Sequence, residues 1–264
     1  MEQGDYRPIS EQEFLERLAD GKSFRSIILK DAVLVDTSAD DLIFRDCVFD
    51  NVDLSQISWI GLKCDSVKFK SCDLCDANLE DASFENCSFF DPNHPIESRE
   101  SQSIYPPGGC KFLRTNLDSA VFTNCDLSFC IFEGANLFRI TIENSKATSA
   151  QFHRASFNSS ARFTNNVMHY ADLRGAQLSK CDLSLNDFQW AKLDEANFTE
   201  TILVGSNLNG TTVQYATFEK ADLRGAGTAS FDIRTMDLHG AKINESQMRV
   251  LLENCGIVIF PDGY

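Results

Sequence analysis

Histidine, cysteine and acidic side chains are the residues of this 264-residue chain that could do chemistry, but their spacing does not favour catalysis or metal binding. The only C-x-x-C pair is Cys72 and Cys75, and no second pair stands at zinc-finger spacing. Neither a glycine-rich phosphate loop nor a G-x-S-x-G turn for a nucleophilic serine occurs. The four histidines lie far apart, at His94, His153, His169 and His239. The sequence therefore predicts a protein that is not an enzyme and that uses no metal and no cofactor.

A five-residue repeat of apolar residues runs through most of the chain and forms the frame on which any functional side chain must lie. Five is the period of neither a helix nor a strand, so the pattern indicates a stacked repeat architecture. The register begins at Phe24, is lost between Phe89 and Phe112, and slips by one residue near Ser159 and Ser160. Two positions before each repeat residue stands another small or apolar residue. In all, 41 units keep the register, with a weak unit around Thr228.

Three segments of this repeat, residues 171–175, 196–198 and 221–225, resemble the A-(D/N)-L-x-x consensus of the pentapeptide-repeat family. The resemblance covers about residues 24–243. It implies an all-β fold, a right-handed quadrilateral β-helix with four units per coil and with the repeat residue pointing inward. The 41 units would make about ten coils, and thus a rod about 50 Å long at the spacing of hydrogen-bonded strands.

The ten cysteines fit this architecture as small core residues rather than as reactive thiols. A free buried cysteine behaves as a small hydrophobe. Residues 1–10 contain no charged-then-apolar leader, and no apolar run approaches the length of a membrane span. Together with the many thiols, these features predict a cytoplasmic protein. The small position two before the repeat residue holds Cys47, Cys72, Cys87, Cys110, Cys125, Cys130 and Cys181, and the repeat position holds Cys64.

The pattern divides the chain into three parts. Residues 1–22 predict an N-terminal capping helix, and residues 23–243 predict the β-helix, interrupted by a corner loop at residues 90–109. Residues 244–264 predict a C-terminal capping helix followed by a short strand. A solenoid needs such caps because its terminal coils would otherwise expose unpaired edges.

Local helix signals support both caps. Ser10 begins a capping-box sequence, and Ile9 and Phe14 are spaced as a hydrophobic staple. Asn244 can cap a second helix that extends to about Asn254.

The apolar residues of the C-terminal part allow two interpretations: they cover the last coil, or they form the contact of a homodimer, as in related proteins of the family. The predicted dimer contact consists of Met248, Leu251, Leu252, Ile257, Ile259 and Phe260.

The interruption at residues 90–109 adds 18 residues to the repeat and holds four of the six prolines of the chain. Proline cannot continue a hydrogen-bonded ladder, so this segment is predicted to project from a corner as a loop. Long loops on rigid scaffolds often carry function. One hypothesis makes it a partner-binding loop, and the other makes it a tolerated insertion that folds back on the rod. Candidate contact residues are His94, Arg99, Ile104 and Tyr105.

Charge is the remaining signal. The chain carries a net charge of −15, of which residues 1–89 contribute −10. Such a rod would repel nucleic acid but could attract a basic surface, including one built to hold DNA. Alternatively, Asp and Asn are simply the usual consensus residues beside the repeat residue, and the charge keeps the rod in solution. The candidate acidic face consists of Asp40, Asp41, Asp76, Glu80 and Asp81.

Two functions remain in view. The acidic repeat is similar to the gyrase-interacting quinolone-resistance proteins of the family, which implies a bacterial, non-enzymatic rod that mimics DNA, binds DNA gyrase or another topoisomerase and modulates its inhibition. The alternative is a scaffold, adaptor or immunity protein of a bacterial secretion or toxin system, which binds its protein partner through the loop and the caps. A purely structural role is the third interpretation. None of these predicts direct binding to nucleic acid or membrane.

Overall fold

The repeat folds into a parallel β-solenoid, described here by a computed structural model over residues 6–93, 108–157 and 159–260. Its strands have three or four residues because each five-residue unit must also turn a corner. In chain order the elements are β1 Arg7–Ile9, α1 Glu11–Asp20, β2 Ser23–Arg25, β3 Ile27–Lys30, β4 Ile43–Arg45, β5 Val48–Asp50, β6 Lys63–Asp65, β7 Lys68–Lys70, β8 Ser83–Glu85, β9 Val121–Thr123, β10 Thr141–Glu143, β11 Arg162–Thr164 and α2 Glu245–Asn254.

Each coil pairs in parallel with the next through four separate ladders, so the solenoid has four faces. We number the faces by the repeat residues of the first two coils: face 1 holds Phe24 and Phe44, face 2 Leu29 and Phe49, face 3 Leu34 and Leu54, and face 4 Ala39 and Trp59. An edge is named by the two faces that it joins.

The ladder of face 1 counts the coils. It contains a seven-stranded sheet, in the order β11-β10-β9-β8-β6-β4-β2, and continues from Arg162 through isolated bridges. Ten parallel steps therefore join its first rung to its last, which confirms the predicted ten coils and gives a length of about 50 Å. The rungs lie at Ser23, Ile43, Lys63, Ser83, Val121, Thr141, Arg162, Asp182, Ile202, Asp222 and Lys242.

Both irregularities of the repeat leave the stacking intact. Ser83 pairs with Val121, so the chain between them contains one coil and the inserted segment. Thr141 pairs with Arg162, which accommodates the single extra residue. The register of the core is thus restored after each irregularity, because the inward-facing residues on both sides remain in contact.

A left-handed residue closes most of the units, two positions after the repeat residue. Ser26 (φ 51°), Asp31 (φ 50°) and Asp36 (φ 60°) are the first of this series, and glycine takes the same position at Gly61 (φ 67°). This conformation costs least for Gly, Asn and Asp, which explains why such residues recur at the corners. The conformation also points the corner side chain outward, where it can meet a partner.

Aromatic rings stacked from coil to coil fill the interior. Phe69 stacks on Phe89 with 4.8 Å between ring centroids, and Phe132 stacks on Phe152 at 5.0 Å. Beside these rings the thiols are buried and free of disulfides; only Cys75 and Cys255 are half-exposed. Burial raises the pKa of the Cys181 thiol to about 11, so this sulfur is held in its neutral form.

Polar residues replace the thiols at the small position of face 2 in the C-terminal half. The Ser145 N–H donates to Asn166 Oδ1 (2.8 Å), and the Asn166 N–H donates to Asn186 Oδ1 (2.9 Å). The Asn186 N–H in turn donates to Ser206 Oγ (3.3 Å). All four side chains are buried, and each is hydrogen-bonded. The buried ladder is therefore compatible with the core because its polar groups are satisfied.

Helix α1 covers the first coil, as predicted, but it is preceded by an unpredicted strand. Phe14 is fully buried and stacks on Phe24 at 4.8 Å. Ser10 Oγ accepts from the Glu13 N–H (3.1 Å), while the Glu13 carboxylate binds Arg7 (2.7 Å) instead of closing the capping box. Strand β1 pairs with β3 and forms the end of the face 2 sheet. Pro8 is tolerated there because the outer edge of a terminal strand has no ladder to maintain.

Helix α2 covers the last coils with the predicted bounds. Gln247 holds it in place: its Nε2 donates to the Leu223 and Ala226 carbonyls, both at 2.8 Å, and its Oε1 accepts from the Asn244 N–H (2.8 Å). The repeat is also irregular just after Thr228, where its sequence pattern is weak: Phe231 is fully buried there, whereas the expected repeat residue Ile233 is only half-buried. The strand expected after α2 is wrong: residues 257–260 are irregular, since no neighbouring strand pairs with them. Over the described residues, neither helix has the length and hydropathy to cross a membrane.

Candidate protein-binding edges

Four of the five predicted acidic residues come together on edge 4–1. Asp40 and Asp41 follow a repeat residue of face 4, and Glu80 and Asp81 follow another two coils later. Asp41 (φ 55°) and Asp81 (φ 58°) take the left-handed corner position and are exposed. Two coils separate the pairs by about 10 Å. We call these four residues the acidic edge.

No side chain stands between the two pairs at the corner itself. The intervening corner residue is Gly61, and a Cβ there would lie 2.9 Å from Asp41 Oδ1. Lys22 approaches Asp41 at 3.8 Å, but within the described residues no basic group forms an ion pair with Asp40, Glu80 or Asp81. Their carboxylates are therefore available to a cationic partner.

The acidic edge ends at the next coil. Asp118 lies on the same edge, but Arg139 donates to both of its carboxylate oxygens (2.9 and 2.8 Å). Those hydrogen bonds lower the pKa of Asp118 and neutralise its charge. Farther along, the corner positions hold Lys180, Glu200 and Lys220, and Lys220 pairs with Glu219 at 2.9 Å. Acids and bases therefore balance there, and the net negative charge of this edge lies in the N-terminal half of the solenoid.

Asp76, the fifth predicted residue, does not join them. It follows a repeat residue of face 3 and lies on edge 3–4, where Arg114 donates to Oδ1 (2.7 Å) and Oδ2 (2.5 Å). The guanidinium lowers the pKa of Asp76 and offsets its charge. The pair spans the inserted segment, and its members stand 38 positions apart, so spacing along the sequence gave no signal for it.

The predicted loop residues His94, Arg99, Ile104 and Tyr105 lie outside the described residues. The two ends of that segment meet on edge 2–3, where Phe90 and Gly109 form an antiparallel bridge. Gly109 is required there: a Cβ would lie 2.2 Å from the Phe129 carbonyl carbon. The insertion therefore leaves the solenoid at one fixed corner.

Some of the predicted dimer residues pack against the last coils, and the others are exposed on the surface. Leu251 is buried against the last coils and has no surface to offer a second copy. Leu252 and Ile259 are half-buried, whereas Met248, Ile257 and Phe260 are 49%, 48% and 73% exposed. Both interpretations of the C-terminal part thus have support, since one residue covers the coil and three remain available. The dimer itself stays a prediction.

The histidines do not assemble a catalytic arrangement with the thiols among the described residues, where no cluster of three His, Cys, Asp or Glu side chains could hold a metal. His169 Nε2 lies 2.8 Å from Asp187 Oδ2. Burial, followed by a hydrogen bond to Asp73, raises the pKa of the Cys75 thiol to about 12. A thiol in that state is a poor nucleophile.

One surface was missed from the sequence. Phe129, Tyr170 and Trp190 occupy corner positions of edge 2–3, the edge opposite the acidic one. Their signal was present in the sequence, because all three stand two positions after a repeat residue, where Asp, Asn, Ser and Gly are usual.

A parallel solenoid of five-residue units, with corner side chains displayed outward, defines a class of repeat protein that works by presenting surfaces. Comparison with known sequences finds a similarity to one family: pentapeptide repeats match in eight copies, over residues 108–137, 150–184 and 187–226. Over these residues the chain is similar to the pentapeptide-repeat family, the resemblance that its sequence indicated.

Relatives and a solved structure narrow the resemblance. The quinolone resistance pentapeptide repeat protein QnrB96 of Scandinavium goeteborgense is 33% identical over 132 residues, which is 47% of this chain and 56% of that relative. QnrB4 of Escherichia coli is 34% identical over 147 residues, 52% of this chain and 63% of that protein. The chain thus matches little more than half the length of these relatives. The structure of trypsin-treated QnrB1, described as a plasmid-mediated fluoroquinolone resistance protein, superposes on this chain with a TM-score of 0.64. The two sequences are 28% identical, and the superposition covers 90% of this chain and 100% of QnrB1.

Proposed function

We propose that this protein binds a bacterial type II topoisomerase, DNA gyrase, through its acidic edge, and that it thereby modulates inhibition of the enzyme by quinolones. The observation that carries the proposal is a row of four carboxylates on edge 4–1, three of them without an ion pair among the described residues. It stands on a solenoid similar to QnrB1. A cationic surface built to hold a DNA backbone is electrostatically complementary to such a row.

The similarity to quinolone-resistance proteins favours this proposal over a scaffold or immunity protein of a secretion or toxin system. The restricted length of the acidic edge adds a specific expectation. The partner should contact the N-terminal half of the solenoid, because farther on Arg139, Lys180 and Lys220 offset the acids of this edge.

The test is a charge reversal with a matched control. Asp41→Lys together with Asp81→Lys reverses the acidic edge, and lysine already occupies the same corner position at Lys180. The control reverses Asp36 and Glu195, exposed left-handed corner residues of edge 3–4, so both variants change the net charge equally.

Binding to purified gyrase should weaken about tenfold or more in the edge 4–1 variant. Protection of supercoiling against a fluoroquinolone should be lost with it, and the control should retain both. Binding by the parent chain should also weaken as salt is raised. Equal behaviour of the two variants, or no effect of the parent chain on gyrase, would refute the proposal.

A further inference from the structure

The edge opposite the acidic one displays aromatic rings at positions where they are costly. Phe129 (φ 60°), Tyr170 (φ 58°) and Trp190 (φ 59°) are all left-handed corner residues of edge 2–3. An L-residue pays about 1–2 kcal/mol for this conformation, which glycine avoids. Tyr170 and Trp190 are nevertheless 53% and 47% exposed, so packing does not repay the whole cost. We call these three residues the aromatic edge.

The rings form a column along the edge. Tyr170 and Trp190 stack with centroids 5.2 Å apart and planes inclined by 14°. Phe90, at the base of the inserted segment, stacks on Phe129 at 5.2 Å and 26°. The next corner after Trp190 is Gly210, where a Cβ would lie 2.7 Å from Trp190 Cδ1, so the indole has the space it needs.

One ring is missing from the column. Ser149 (φ 58°) is the corner residue between Phe129 and Tyr170, and no ring contact joins those two residues. Two coils separate their backbones by about 10 Å. Stacked rings need about 5 Å each, so the interval accommodates one further ring in contact with both neighbours.

The charges next to Ser149 and Tyr170 are paired, in contrast to the net charge of −15 of the whole chain. Lys146 lies 3.9 Å from Asp126, and His169 lies 2.8 Å from Asp187. Asp172, beside Tyr170, is bound by Arg174 at 2.6 Å. Each of these three acids thus has a base next to it, so an uncharged partner at Ser149 meets no unpaired ion among them. Asp91, which follows Phe90 two coils before Ser149, forms no ion pair among the described residues. The complementary occupant is uncharged and aromatic.

We propose that the aromatic edge is a second protein-binding surface, which takes an uncharged segment of another protein and receives one of its aromatic side chains at Ser149, between Phe129 and Tyr170. This surface is independent of the acidic edge, since the two lie on opposite sides of the solenoid. The protein can then hold two partners, or two parts of one partner, at the same time.

The experiment titrates the full chain with N-acetyl-tryptophanamide, a neutral aromatic probe, and follows contact by saturation-transfer NMR. In Ser149→Phe a built-in ring fills the interval, and Phe129 shows that phenylalanine is accepted at this corner. The matched control is Ser119→Phe, at the same repeat position (φ 60°) on edge 4–1. Ser149→Gly keeps the interval open and guards against an effect of the serine hydroxyl.

Probe binding should weaken about fivefold or more in Ser149→Phe and stay unchanged in the Ser119→Phe and Ser149→Gly variants. N-acetyl-leucinamide should not compete. The proposal is overturned if the parent chain does not bind the probe or if Ser149→Phe binds it equally well. It is also overturned if the probe binds only after residues 94–107 are deleted, because the inserted segment of this chain would then occupy the interval. Loss of self-association in Ser149→Phe, measured by sedimentation, would overturn it as well, because the occupant would then be a second copy of the chain.

Discussion

Asn186 provides the sharpest test of how this solenoid is held together. It is buried, and three backbone groups depend on its amide: the Asn166 N–H, the Phe163 carbonyl (2.6 Å) and the Leu183 carbonyl (2.8 Å). The Leu183 carbonyl also accepts from Ser206 Oγ (2.8 Å), so it keeps a partner when Asn186 is removed. Asn186→Ala therefore leaves two buried backbone groups unsatisfied.

The cost follows from that count. An unsatisfied buried donor or acceptor costs about 1–3 kcal/mol, so the variant should lose about 4 kcal/mol of unfolding free energy. Asn186→Ser should lose less than about 1 kcal/mol. Ser206, one coil farther on, accepts from the Asn186 N–H and donates to the Leu183 carbonyl. A serine at position 186 can make the equivalent bonds to Asn166 and Phe163, because the coils repeat.

The assay is urea unfolding of the three proteins, with the midpoint compared at constant slope. Hydrogen exchange of the Asn166 amide gives a local check, since that N–H should lose its protection in the alanine variant alone. Nearly equal stability of the alanine and serine variants would refute the reasoning, because it would show that satisfaction of the buried backbone groups is not what Asn186 contributes.

Two further predictions concern acid stability and assembly. Arg234 lowers the pKa of Asp232 to about 2, below the value of this carboxyl in the unfolded chain. The carboxylate therefore favours folding above about pH 4, and its contribution is lost as the pH falls toward 2. Arg234→Gln should make Tm fall less steeply between about pH 4 and 2, and a pH profile of Tm equal to that of the parent chain would contradict this prediction. Replacing exposed Met248 and Phe260 by serine should shift a dimer to monomer in sedimentation without changing Tm, and a parent chain that is monomeric at all concentrations would contradict the dimer.

Much of the fold could be predicted from the sequence because its determinants are local and repeated. Phe24, Phe44 and their equivalents recur in fives, and the same small position that accepts Cys47 accepts Cys125 in the first coil after the inserted segment. The caps carried local signals as well, in Ser10 and Asn244. Strand β1 had none, since a three-residue segment containing Pro8 becomes a strand only when β3 lies beside it.

The functional edges were less predictable because they depend on contacts between coils. Asp76 and Asp81 look alike in sequence, yet one is bound by Arg114 and the other has no such partner among the described residues. Phe129 and Tyr170 stand 41 positions apart, and only the stacking of coils puts Ser149 between them. Residues separated by a whole coil become neighbours in a solenoid, and the inserted segment and the extra residue alter that separation.

The five-residue repeat by itself determined that this chain forms a solenoid, because each unit buries its two inward residues against copies of itself and needs no other information. The tertiary structure decided which outward residues share an edge and which charges remain free. That outcome depends on the coil-to-coil register, since an acid becomes neutral or available according to the one side chain that stacks beside it.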